Sequence, residues 1–416
     1  MKNILLVTYY YEPYNIVATR RPVTWAKHLS AKFNVTVLTR SWTGSEKGMS
    51  DITNENKNYS VEKINDQFKI VRVPYFKNPV VSKEGNKFTK RLRGYYNHFF
   101  GKFSDIQFIE ENFEGELLKI LSQQKIDLII YTCNPFQFLD LAIKIYKKSR
   151  VKYMIDFRDL TSLVLMRTKP TFKEKIFQFL ISARLKGLIK YSAGLTTVSD
   201  PLNKILTKLF SGKVQTIYNG FEESVFKALS DETNEAKFEI TYAGNLSPEM
   251  NVNLFLKGAG LFFEKCKPNA VINFIGINES YKKKISAVDK TLNLCFFDWL
   301  PYDQTLEICK RSAVLLYMGW KGYTGILSGK IFDYLGVKRP ILLAPSDNDV
   351  IEQLLIYTQA GFVANKPHEV SEKLEELYIN WVNKHAGEYK GIDMKVKEFT
   401  RESQAKKVEE FINTII

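Results

Sequence analysis

The 416-residue chain contains no run approaching the ~18 apolar residues that a membrane-spanning helix needs. Its opening, Met1–Thr8, offers one lysine and a short apolar run, Ile4–Val7, and is expected not to act as a signal peptide. Cysteine is scarce: Cys133, Cys266, Cys295 and Cys309 form no close pair, and His28, His98, His368 and His385 are scattered. With neither a disulfide framework nor a zinc pattern, the expected compartment is a reducing cytoplasm. Glycine is not arranged as Gly-x-Gly-x-x-Gly after the first strand, so a dinucleotide fingerprint is missing there. Acid is short relative to base: 45 Asp and Glu face 60 Lys and Arg, for a net charge of +15 and a pI near 9.3. Such an excess attracts a polyanion, whether nucleic acid, an anionic membrane face or a phosphorylated substrate, and composition does not choose among them.

What is present is an α/β rhythm. The length calls for two domains, and 45% hydrophobic with 25% charged residues suits a soluble globular protein. Strands are expected at 3–8, 35–39, 69–73, 127–131, 152–156, 196–198 and 214–217, with helical patterns at 19–31 and 135–149 between them. Strand–helix–strand spacing of this kind gives parallel sheets. The stretch 41–66 is polar and reads as loop, and the acidic stretch 221–236 reads as an interdomain linker. A second alternation follows, with strands at 238–243, 271–275, 293–297, 313–318, 340–344 and 361–364. The expected domains are therefore 1–220 and 237–385, with a charged helical segment at 386–416 that either stands alone or crosses back to the first domain.

The stretch Tyr323–Pro345, YTGILSGKIFDYLGVKRPILLAP, carries the strongest chemical signal. Ser328-Gly329 precede a short helical pattern, so a ligand can approach backbone N–H groups at the positive end of the helix dipole. Lys330 adds a charge, and Asp333 lies one turn on along the same face. A phosphate with a neighbouring hydroxyl donor fits this pattern; an ordinary helix start with a surface Lys330–Asp333 pair is the alternative. GILSGK is not a Walker A loop, since Thr324 stands where glycine is needed and Ile331 where magnesium would take a hydroxyl. Asp349 with Glu352 reads as a capping box rather than an acidic metal–sugar motif. Trp299 and Leu300 close a strand at the start of a helix, where Trp299 either stacks near a base or fills a gap.

In the first half, Arg20 and Arg21 open a helix beside the end of the first strand; they either hold an acceptor phosphate or are exposed. Arg158-Asp159 follow a strand directly, where charges are expected in a site, or else form a turn. Two basic segments stand out. Residues 83–102 hold six Lys/Arg against one Glu, with Phe88, Leu92, Tyr95, Phe99 and Phe103 at helical spacing, and 173–190 hold five basic residues against one acid. Such helices lie on anionic membranes or pack on the sheet.

Taken together, YYEPYNIVATRRPVTWAKHLS, YMIDFRDL, TIYNGFEESVF, ITYAGNLSPE and GKIFDYLGVKRPIL resemble the GT-B glycosyltransferases, most closely the glycosyltransferase family 4 group of bacterial surface-polysaccharide enzymes. The resemblance implies two Rossmann-like doubly wound parallel-sheet domains facing a cleft, with a nucleotide sugar on the second and the acceptor on the first. It implies Asp333 at the second of two family acidic positions, with Gly325 standing at the first, and Lys330 on the diphosphate. The loop Gly244–Asn251 lacks the family's Arg and Lys, and Arg158-Asp159 stand where many members have His-Asp.

The resulting expectation is a transferase acting on a nucleoside diphosphate sugar, with a UDP-sugar as the first choice, and on a polysaccharide or lipid-linked acceptor in capsule, O-antigen or exopolysaccharide synthesis. Retention of configuration is implied by the resemblance alone. Donor contacts are expected from Asn245, Trp299, Leu300, Ser328, Gly329, Lys330 and Asp333, acceptor contacts from Arg20, Arg21, Arg158 and Asp159, and chemistry from Lys330, Arg158 and Asp159. No cofactor, metal or nucleic acid is expected, and the protein is placed on the inner face of the cell membrane as a peripheral protein. A nucleotide-sugar epimerase of the same fold and a non-catalytic basic nucleic-acid or membrane binder are the alternatives.

Overall fold

The computed structural model describes residues 1–46, 54–76, 110–230, 234–384 and 389–416. The chain divides into two compact units: unit 1 is Met1–Tyr218 with Gln404–Ile416, and unit 2 is Asn219–Ser403.

In unit 1 the first strand, β1 (Asn3–Val7), leads into α1 (Val17–Leu29) and β2 (Asn34–Arg40). Strands β3 (Ser60–Asn65) and β4 (Phe68–Val73) follow, then α2 (Glu110–Gln123), β5 (Leu128–Cys133), α3 (Phe138–Ser149) and β6 (Tyr153–Phe157). A 3₁₀ turn (Leu163–Met166) precedes α4 (Phe172–Ile189), β7 (Gly194–Thr197), α5 (Asp200–Leu209) and β8 (Val214–Thr216). The eight strands form one sheet in the order β3-β4-β2-β1-β5-β6-β7-β8. All neighbours are parallel except β3 and β4. Ile4, Leu5, Leu6 and Val7 are all fully buried, because helices cover both faces of a parallel sheet and its strands read as unbroken apolar runs.

Strand β3 corrects the reading of 41–66 as loop. All six of its residues are exposed, and it pairs antiparallel at the sheet edge. An edge strand facing solvent has no apolar side to betray it.

Unit 2 begins with α6 (Glu223–Lys227) and β9 (Phe238–Ala243), then α7 (Val252–Cys266), β10 (Ala270–Ile275), α8 (Glu279–Ser286) and β11 (Leu294–Phe297). It continues through α9 (Tyr302–Arg311), β12 (Val314–Tyr317), α10 (Lys330–Val337), β13 (Ile341–Leu343), α11 (Val350–Thr358) and β14 (Gly361–Val363). Helices α12 (Pro367–Lys384), α13 (Asp393–Lys397) and α14 (Arg401–Asn413) end the chain. The six strands are parallel in the order β11-β10-β9-β12-β13-β14. Helices α7 and α12 bury Phe255, Phe262, Leu374 and Trp381 against Phe238 and Ile240 of β9.

The stretch 221–236, expected as a linker, begins as packed chain. Phe221 exchanges backbone hydrogen bonds with Phe399 (3.1 Å) and Arg401 (2.7 Å). Phe221 and Phe226 pack edge to face against the bare Cα of Gly336, where an added Cβ would come within 2.9 Å of either ring. Two isolated aromatics in acidic surroundings hid this docking. At the other end, Ala405, Val408, Phe411 and Ile412 of α14 are buried in the unit 1 core with Trp25 and Met154. Among the described residues no helix is long and apolar enough to cross a membrane.

Candidate functional site

The order of the unit 2 sheet reverses at β9: β10 and β11 run off one way, and β12, β13 and β14 the other. Open α/β sheets bind ligands outside the carboxyl ends of the strands at such a point. Gly244 follows β9 there, and residues 318–329 connect β12 to α10.

Helix α10 is anchored over this point by its one tyrosine and by the loop that precedes it. The Tyr334 hydroxyl accepts from the Ala243 N–H at 2.9 Å, tying the helix to the last residue of β9. The Ser328 hydroxyl shares a hydrogen bond with the buried Tyr317 hydroxyl at 2.8 Å, tying the loop's end to β12. Asp349 accepts from the Thr324 hydroxyl at 2.9 Å and from the Gly325 N–H, which holds the middle of the loop. The N–H groups of Gly329 and Lys330 are left at the helix start without a backbone partner among the described residues, the arrangement that favours an anion.

Lys330 completes the site. Its ammonium donates to the Tyr242 hydroxyl at 2.8 Å and lies 4.2 Å from the Tyr242 ring centre and 5.9 Å from that of Tyr317. Gly244, at φ +108°, makes room for it: a Cβ there would stand 3.0 Å from the Lys330 nitrogen. Among the described residues no carboxylate pairs with this lysine, and desolvation pushes its amine down from 10.5 to about 7. The surface Lys330–Asp333 pair is therefore not formed. Asp333 instead accepts from the Tyr302 hydroxyl at 2.7 Å. A half-buried ammonium bonded to a neutral phenol is short of negative charge, and a diphosphate would supply it.

The other expected donor residues fall around this centre in two groups. Asn245 is exposed, and its carbonyl accepts from the Tyr242 hydroxyl at 2.8 Å. Trp299, 72% exposed, and the half-buried Leu300 lie on the connection from β11 to α9, which also delivers Tyr302 to Asp333. Tyr242, Tyr302 and Tyr317 escaped the sequence reading; the one available signal was a tyrosine at or next to the carboxyl end of two strands predicted to adjoin the site.

The expected Asp349–Glu352 capping box is also corrected. Asp347 accepts from the Ile351 N–H at 2.9 Å and the Glu352 N–H at 3.1 Å and so caps α11. Asp349 makes no cap hydrogen bond, since its carboxylate is turned to the 324–325 loop. Burial raises the Asp347 carboxyl, and its backbone hydrogen bonds oppose that.

In unit 1, Arg21 is corrected as an acceptor residue. It is 3% exposed and grips the fully buried Asp156 through two hydrogen bonds of 2.7 and 3.0 Å. Its remaining donors reach the carbonyls of Ile217 (2.7 Å) and Tyr218 (2.9 Å). Asp156 also accepts from the Thr196 hydroxyl at 2.7 Å. Arg21 thus locks α1 to β6 and to the end of β8, with its guanidinium 4.4 Å over Trp25. Arg20 beside it is half-buried.

Arg158 and Asp159 stand at the carboxyl end of β6, where the sequence placed them. Arg158 donates to the Ala18 carbonyl at 3.0 Å, and among the described residues its Nε has no partner, like the nearby Tyr10 hydroxyl. Desolvation lowers the Arg158 guanidinium, with Asp159 opposing most and Arg21 adding to the fall. Asp159 is raised by desolvation, with Arg158 opposing. The aromatic stripe expected at 83–102 lies outside the described residues.

Two doubly wound units of this order have the GT-B fold. Similar solved structures span the whole chain. Sucrose-phosphate synthase from Thermosynechococcus elongatus matches with a TM-score of 0.61 and 10% identity, over 100% of this chain and 99% of that one. A UDP-forming α,α-trehalose-phosphate synthase from Burkholderia xenovorans gives 0.63 and 9%, over 100% and 99%. The Anabaena protein HepE, in complex with UDP and glucose, gives 0.55 and 10%, over 100% of each chain. No family model and no curated protein sequence matches the chain.

Proposed function

We propose that this protein is a glycosyltransferase of the family 4 type, moving a sugar from a nucleoside diphosphate sugar, with UDP-sugar as first choice, to a polysaccharide or lipid-linked acceptor at an anionic membrane surface. One observation carries the donor half. At the switch point of the unit 2 sheet, the start of α10 carries an ammonium and the N–H groups of Gly329 and Lys330, none of them paired with a carboxylate or carbonyl among the described residues. Charge develops on the departing diphosphate during transfer, and fixed donors aimed there lower the barrier. Asp333, which accepts from Tyr302, is assigned to the ribose hydroxyls. Arg158 and Asp159 are assigned to the acceptor.

The similar structures named for UDP and for sugar-phosphate synthesis support a UDP donor, and their names favour a second reading in which the acceptor is a small sugar phosphate. The test is thermal unfolding with UDP-, GDP- and dTDP-sugars, since a ligand at 100 times its dissociation constant adds about 2.7 kcal/mol. It is followed by nucleoside diphosphate release with hexose phosphates or with lipid-linked acceptors. Stabilisation by no nucleotide sugar would overturn the reading, and turnover without any acceptor would point to an epimerase.

A further inference from the structure

A helix lying on a sheet is expected to be apolar inward and polar outward. Helix α4 departs from that. Its inward face buries Ile181, Leu185 and Ile189. Its outward face also begins apolar: Phe172 is 79% exposed, Ile176 47% and Phe179 72%. These positions are spaced i, i+4 and i+7, so they form one stripe over the first two turns. The stripe is built to be held open. Thr171 and Glu174 close a capping box at the helix start, with bonds of 2.7 and 3.3 Å. Gln178, on the inward side, donates to the Val164 carbonyl of the preceding 3₁₀ turn at 2.7 Å.

The charges around the stripe have one sign. Lys173, Lys175 and Lys186 are exposed and have no carboxylate partner among the described residues, and Lys169 is exposed in the connection just before the helix. The acid in the segment, Glu174, is taken by the cap and by Arg167 at 3.3 Å. Two copies of this face brought together would oppose lysine to lysine. An anionic lipid surface meets both properties at once: phenyl rings enter the headgroup region while lysines reach lipid phosphates.

We propose that the outward face of α4, with Phe172, Ile176 and Phe179 inserted and Lys173, Lys175 and Lys186 on the headgroups, is the surface by which this protein docks on anionic membranes. For its purpose the inference rests on the transferase reading, which calls for a membrane-borne acceptor. The connection from β6 to α4 carries Arg158 and Asp159 at its start, so docking α4 brings the acceptor end of unit 1 to the lipid.

The experiment is co-sedimentation of the full chain with vesicles of phosphatidylcholine containing phosphatidylglycerol. Comparison is with the double variant Phe172→Ser/Phe179→Ser and the triple variant Lys173→Glu/Lys175→Glu/Lys186→Glu. All five positions are exposed, and unchanged thermal unfolding confirms the folds. Wild type is expected to bind, and the phenylalanine variant to lose on the order of 10-fold or more in partitioning, because buried ring surface is the salt-resistant part of such binding. The lysine variant is expected to lose its binding at low salt. The inference is overturned if wild type ignores these vesicles, or if the phenylalanine variant binds them as wild type does. It is equally overturned if that variant turns a dimer into a monomer in sedimentation equilibrium. UDP titration of the same proteins keeps the readings apart: wild type that binds vesicles but no UDP sinks the transferase reading and leaves the docking face standing.

Discussion

Lys330 donates a 2.8 Å hydrogen bond to the hydroxyl of Tyr242, a residue 88 positions earlier in the chain. The bond crosses from the start of α10 to the end of β9 and fixes where the ammonium stands. Tyr242 is itself buried and its phenol is pushed well above its ordinary value, mainly by desolvation, so it stays neutral and leaves the lysine's charge uncompensated.

Affinity for UDP should depend on pH through Lys330. The amine sits near 7 in the folded protein and ordinarily at 10.5, so above pH 7 the free site is increasingly neutral. A bound diphosphate favours the protonated form, so binding takes up a proton and weakens as pH rises, by up to about tenfold per unit for one proton. Calorimetry from pH 6 to 9 in buffers of different ionisation enthalpy should show this in wild type, and a weak, flat profile in Lys330→Met. The unfolded chain binds the extra proton between pH 7 and 10.5, so this group's contribution to folding stability rises with pH across that window. A flat wild-type profile would remove Lys330 from the diphosphate.

Gly244→Ala should damage the site without removing any of its functional groups. The new methyl meets the Lys330 nitrogen at 3.0 Å and its Cε at 3.3 Å, at a backbone φ of +108° that a side chain adopts only with strain. UDP affinity should fall together with the unfolding midpoint. Wild-type affinity in this variant would mean that the lysine has another seat.

Arg21→Ala should act on stability. It strands the carboxylate of Asp156, which is fully buried, and breaking one side of a buried pair typically costs about 3–5 kcal/mol. Urea denaturation should show the loss, and Arg21→Lys should not restore it, because one ammonium cannot reproduce the paired hydrogen bonds. A stable Arg21→Ala protein with weakened acceptor binding would return Arg21 to the site.

Asp347 and Asp349 should separate cleanly. Asp347→Ala removes the cap of α11 and should cost roughly 0.5–2 kcal/mol. Asp349→Ala frees the 324–325 loop and should reduce UDP affinity with little change in melting. Equal effects on melting would show that both carboxylates serve the helix.

The parallel architecture was legible because strands covered on both faces announce themselves as apolar runs, as NILLV and LIIYTC do. Lys330 was legible for a local reason, its place after Ser328-Gly329 at a helix start. What could not be read was set by partners distant in sequence. Arg21 looks like any arginine on an amphipathic helix until Asp156 arrives from 135 residues away. Tyr242 and Tyr317 look like core, and Asp333 looks like the ion-pair partner of Lys330, until α9 brings Tyr302. The choice between Asp347 and Asp349 turns on a loop geometry that spacing does not encode.

Helix α14 has a consequence for synthesis. Unit 1 needs Ala405, Val408, Phe411 and Ile412 to finish its interior, yet these residues leave the ribosome after the whole of unit 2. The amino-terminal core, covered by Trp25, Ala26 and Leu29 of α1, therefore lacks the α14 part of its packing while the rest of the chain is translated. The first unit to be made is thus completed only by the last helix to be made.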